Sequence, residues 1–81
     1  MSLNEKKFRE ALGNINRRAL SRFNQAQSLQ NKQEAVRDFC DGFASLSRLA
    51  GNDNVSDELR LEVSRILSEW SQRGAETGYR A

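Results

Sequence analysis

Apolar side chains recur every third or fourth position through three successive segments of this chain, and no proline interrupts them. That spacing follows the ~3.6-residue turn of an α-helix and not the two-residue alternation of a strand. An 81-residue chain patterned in this way can cover its apolar stripes only by packing helix against helix.

The first stripe is Phe8, Leu12, Ile15, Ala19, Phe23 and Ala26, with Ala11 at its edge, on a projection of about 100° per residue. Ser2 and Glu5 have the spacing of a capping box at its start, each serving the other's amide. Gly13 falls opposite the stripe, where it costs a helix about 1 kcal/mol relative to alanine.

A second stripe, Val36, Phe39, Phe43, Leu46 and Ala50, would lie about 135° from the first if one helix ran through both. A single rod would then present two apolar faces in two directions, whereas a reversal folds them together. The polar run from Asn24 to Asn31 is the place for it. Asn31 with Glu34 forms a second capping pair and Ser28 is an alternative cap, which puts the break at residues 27–31.

The second helix has the widest apolar arc, because Ala35, Cys40 and Leu49 flank its stripe, and it is expected at the centre. Gly51 supplies its stop and residues 52–54 form a loop. Asn54 or Ser56 caps a third helix whose stripe is Leu59, Val63, Ile66, Leu67 and Trp70, and Gly74 is expected to end it. The predicted fold is all-α: a three-helix antiparallel bundle with helices over about 3–27, 31–50 and 56–73, one domain over 1–73, and a loose tail over 74–81.

Chemistry is limited by what the chain lacks. It contains no His and a single Cys, so no nucleophile has an imidazole base and no usual zinc set or intramolecular disulfide can form. Its glycines are scattered and make no phosphate loop. The acids are near-balanced by arginine, with Arg37/Asp41 and Glu69/Arg73 at the spacing of helical ion pairs. The expectation is a non-catalytic protein with no catalytic, cofactor-binding or metal residue and no small-molecule substrate. No run approaches the roughly 18 apolar residues of a membrane span; with one thiol this points to a cytoplasmic protein.

Such a chain acts through what its helix faces touch. A core in this size range supplies only about 3–5 kcal/mol of net stability, which favours a protein partner or a second copy of the chain. The expected role is therefore a regulator, adaptor, inhibitor or assembly subunit, possible as a homo-oligomer. Leu20 and Leu61 lie off their stripes, Trp70 stands near a helix end and Tyr79 in the tail; these four are the candidate partner-binding residues. Cys40 is expected half-buried on the shoulder of the second helix.

The competing class is nucleic-acid binding. Residues 1–30 hold Lys6, Lys7, Arg9, Arg17, Arg18 and Arg22 against Glu5 and Glu10, a net of +4, while the whole chain carries +2. These cations surround the first helix and do not share one strip: Lys6 and Arg17 point away from the stripe, Lys7 and Arg18 to one side and Arg9 to the other. That is the pattern of an ordinary solvated helix. A helix-turn-helix is disfavoured by the long second connection and the acidic third helix.

Overall fold

The computed structural model describes residues 5–50 and 56–79, and the side chains of Leu49 and Ala50 lie outside that description. Three helices make up nearly all of it: α1 Glu5–Gln25, α2 Leu29–Ala50 and α3 Asp57–Thr77, with no strand among the described residues. The all-α three-helix bundle expected from the stripes is the fold observed.

The chain reverses over Ala26, Gln27 and Ser28. The Ala26 amide donates to the Phe23 carbonyl at 3.3 Å, which tightens the end of α1. Ser28 is the cap of α2: its Oγ accepts from the Asn31 amide at 3.1 Å and its carbonyl from the Lys32 amide at 3.1 Å. Of the two expected caps, the alternative is used, and α2 starts two residues earlier than predicted because Asn31 already sits within its first turn. The reversal lays α2 antiparallel on α1, with Arg22 paired to Asp38 and Ile15 opposite Gly42. A β-carbon at Gly42 would stand 3.0 Å from Ile15 Cγ2, so the bare glycine sets how closely these helices approach.

α3 returns antiparallel to α2 and parallel to α1. Ser56 caps it in extended geometry (φ −69°, ψ 157°), its Oγ accepting from the Leu59 amide at 3.2 Å. A second cap comes from α1: Glu5 accepts from the Ser56 amide at 2.6 Å and from the Ser56 hydroxyl at 2.9 Å. Both Glu5 oxygens thus serve α3; the predicted box with Ser2 lies outside the described residues, as do Gly51 and the 52–54 loop. The amide and then the hydroxyl of Ser56, helped by Arg9, hold the Glu5 carboxyl below its ordinary range.

The end of α3 corrects the sequence reading. Gly74 does not stop the helix; it is buried within it, where a β-carbon would lie 3.7 Å from Val36 Cγ1. The stop is Gly78, in the left-handed region at φ 75°, whose amide donates to the Ala75 carbonyl at 3.3 Å while the Tyr79 amide donates to Gly74 at 3.0 Å. Packing against α2 carries the helix through the first glycine. Gln33 Nε2 then donates to the Thr77 carbonyl at 2.7 Å, anchoring the last turn.

The core is Phe8, Leu12 and Ala19 from α1, Ala35, Val36 and Phe39 from α2, and Leu59, Ile66 and Trp70 from α3. α2 is central: it packs on both neighbours, most closely on α1, while α1 and α3 approach each other least. Trp70 bridges the set, stacking on Phe39 at 4.8 Å between centroids, meeting Phe23 edge-on at 6.1 Å, and donating from Nε1 to Asn16 Oδ1 at 2.6 Å.

Two glycines test the corrected helix end. Gly74→Ala, with room for its methyl and a helical backbone, raises stability by about 0.5–1 kcal/mol, whereas Gly78→Ala lowers it by about 1 kcal/mol because its backbone is left-handed. Denaturant titration followed by circular dichroism reads both, and opposite signs are the expected result.

The Glu5 clasp makes a pH prediction. A carboxyl whose folded pKa lies below its unfolded value contributes stability that is complete above the unfolded value and is lost as pH falls through the folded one. Glu5→Gln therefore unfolds more easily than the native chain at pH 7, and the two converge in acid below the ordinary value near 4.5.

Candidate contact surfaces

Between α2 and α3 an open groove of about 310 Å³ remains, lined by Val36, Phe39, Cys40, Leu67, Trp70, Ser71, Gly74, Ala75 and Tyr79. None of these carries a charge, although 30% of the chain is charged. Val36, Phe39 and Trp70 form the buried floor, while Cys40, Ser71 and Ala75 are exposed at the rim. Leu67 is 37% exposed there, so its predicted place in the α3 stripe is at the margin of the core. Charge depletion over an aromatic floor is the compositional mark of the centre of a protein contact.

The four candidate partner-binding residues separate. Leu61 is 72% exposed on the outer side of α3, as its position opposite the stripe requires. Trp70 is buried, its ring contributing to the groove floor and its Nε1 committed to Asn16. Tyr79 is half-buried against the core and lines the groove. Leu20 is also half-buried against the core. It shares a flank of α1 with Arg9 and Asn16, whose side chains reach Glu58 and Trp70 of α3, so α1 buries a second flank that a single stripe does not describe. Leu29 at the start of α2, which the helical projection did not single out, is 58% exposed.

Cys40 corrects a further expectation: it is exposed, not half-buried, because α3 covers the Val36 and Phe39 side of α2 and leaves the Cys40 shoulder open as the groove rim. Partial desolvation, with the nearby Asp41 carboxylate, pushes its thiol above the ordinary range.

The six cations of the first helix are unequally committed. Arg9 reaches Glu58 of α3 at 3.9 Å and Arg22 pairs with Asp38 of α2. Arg17 donates to Asn14 of its own helix, and Lys6 and Arg18 are exposed. Lys7 is exposed and engaged in an interaction of its own. Among the predicted helical ion pairs, Arg37–Asp41 forms at 3.8 Å. Glu69 pairs with Arg65 at 3.2 Å and not with Arg73, correcting that expectation. Arg73 instead lies 4.7 Å over the Trp70 ring and 5.8 Å from Phe23, where aromatic faces outcompete an exposed carboxylate; Lys32 stands 5.3 Å from the same Phe23 ring.

Sequence reasoning missed Glu5, Asn16, Gln33 and Arg73 as joints between helices. Only Asn16 and Gln33, polar residues beside apolar stripes, carried a signal that could have found them. Among the described residues no group of three or more Cys, Asp or Glu converges as a metal ion would require, and no helix is long and apolar enough to cross a membrane. No family model, no curated protein and no solved structure matches the chain.

Exposure and acidity make Cys40 a reporter of the groove. It reacts with a small alkylating reagent without denaturant, and its rate against pH has a midpoint above that of a free cysteine peptide followed in parallel. A thiol that reacts only after unfolding contradicts the open groove.

Proposed function

We propose that this protein acts without catalysis, by binding another protein chain, either a partner or a second copy of itself. The observation that carries the reading is the uncharged groove of α2 and α3, with an aromatic floor and exposed Leu67 at its edge. A regulator, adaptor, inhibitor or assembly subunit works through such a surface, and in a domain this small a contact that covers it also adds to stability. A cytoplasmic location suits the single free thiol.

The competing reading, nucleic-acid binding by α1, draws on Lys6, Arg17 and Arg18, which have no acidic partner among the described residues. It is weakened because Arg9 and Arg22 are spent on Glu58 and Asp38. Titration of a generic duplex and a generic single strand at two salt concentrations separates the readings. Each duplex phosphate neutralised contributes a slope of about −0.9 in log K against log salt. The expected result is no binding at low salt; micromolar affinity with a steep slope overturns the protein-contact reading.

A further inference from the structure

The joints between the helices are built differently. Between α1 and α2 the seam is made by small residues: Gly42 leaves only 3.0 Å between an added β-carbon and Ile15, and Ala35, two turns earlier on the same side of α2, is wholly buried. Helices separated by such residues approach closely and leave no gap along the seam. α3 stands further off. It packs on either neighbour less closely than they pack on each other, with the stacked Phe39 and Trp70 rings as its spacer from α2. The groove of about 310 Å³ beside those rings is left unfilled.

Docking α3 also carries a cost that the α1–α2 seam does not. Among the described residues, the buried side-chain nitrogens without an acceptor are Arg9 Nε and Arg73 Nη1. Arg9 extends from α1 to Glu58 of α3, and Arg73 from α3 to Phe23 of α1. Both therefore lie at the α1–α3 joint. A donor of a charged group that is buried without an acceptor is worse off than in water, so each opposes closure of this joint and is relieved when α3 leaves. The ion pair that spans α1 and α2, Arg22 with Asp38, is exposed and matched, and sets no such cost against that seam.

The attachments of α3 are discrete. Leu59, Ile66 and Trp70 enter the core, Asn16 holds the Trp70 indole, and one polar contact secures each end, Glu5 with Ser56 and Gln33 with Thr77. Each of these polar contacts is a side chain of α1 or α2 reaching a single point on α3. They are lost together when the helix moves away as a body, while the seam of Ile15, Ala35 and Gly42 does not involve α3 and is kept.

We infer that α3 is a detachable latch: it leaves the α1–α2 hairpin as one body more often than the whole chain unfolds, and in leaving bares Val36 and Phe39, which are buried when it is docked. This is a property of the chain by itself. It goes beyond the protein-contact reading and holds whether or not a partner binds.

Native-state hydrogen exchange of the full chain, followed residue by residue through rising denaturant below the unfolding midpoint, tests the latch. The amides of Ile66 and Trp70 are expected to exchange through an opening at least about tenfold more frequent than the one that frees Ala35 and Phe39, and with a weaker dependence on denaturant because less surface is exposed. Two variants locate the break. Gly42→Val crowds Ile15 in the α1–α2 seam; it is expected to speed exchange of the hairpin amides about tenfold or more and to leave the α3 amides unchanged, since that seam stays closed when α3 undocks. Asn16→Ala strips the indole of its acceptor and is expected to speed exchange at Ile66 and Trp70 about tenfold. In the native protein, α3 amides that share the hairpin's rates and denaturant dependence overturn the proposal. So do α3 amides that move with the hairpin in Gly42→Val, or that are indifferent to Asn16→Ala.

Discussion

Trp70 is the piece through which the three helices become one body. Its ring stacks on Phe39 of α2, receives the edge of Phe23 from α1, and its indole N–H is satisfied by Asn16 of α1. The last contact matters because α1 and α3 approach each other least of the three pairs, and a buried indole donor left unpaired would cost about 1–3 kcal/mol. Large aromatic side chains contribute about 3–5 kcal/mol when fully buried, as much as the net stability of a domain this size. The rest of α3 is therefore organised around keeping this ring in place. Arg73 covers it from its own helix at 4.7 Å, a position that also hides one of the arginine's nitrogens without an acceptor.

The two ends of α3 solve a complementary problem. A helix docked through Leu59, Ile66 and Trp70 still has amides and carbonyls at its ends that need partners. At the start, Glu5 of α1 satisfies the Ser56 amide while Ser56 satisfies Leu59, so the cap of one helix is itself capped by another. At the finish, Gln33 of α2 takes up the Thr77 carbonyl and Gly78 turns the chain. These contacts fix direction and register more than they add energy, since a neutral hydrogen bond contributes only about 0.5–1.5 kcal/mol net.

Features governed by local periodicity were legible in the sequence, and those governed by a neighbour were not. The stripes of Phe8, Leu12 and Ala19, of Val36 and Phe39, and of Leu59, Ile66 and Trp70 are the core because a 3.6-residue repeat alone places them on one side. The reversal near Ser28 was legible because two stripes out of phase cannot share one straight helix. Gly74 misled because its local chemistry is that of a stop, while contact with Val36 keeps it helical. Leu20 fell off the stripe because α1 meets two neighbours at different angles. Cys40 lay at the shoulder of an arc whose coverage depends on where α3 sits, and Arg73 chose rings over the carboxylate at helical spacing. In each case but that of Arg73, whose nearer ring is Trp70 of its own helix, the deciding atom lies on another helix.

The same distinction bears on function. Burial uses up the apolar side chains whose spacing announces them, so a contact surface must be built from what burial leaves behind. Here that remainder is unequal: cations dominate the outside of α1, while α2 and α3 keep exposed charges of both signs, an uncharged groove, and the exposed leucines Leu29, Leu61 and Leu67. A charged surface costs little in water and gains little from being covered, since exposed ion pairs contribute about 0–1 kcal/mol. An uncharged one has no hydration shell of ions to give up, and every apolar Å² it buries contributes about 25 cal/mol. Under the protein-contact proposal, it is the uncharged groove between α2 and α3 that gains most from being covered.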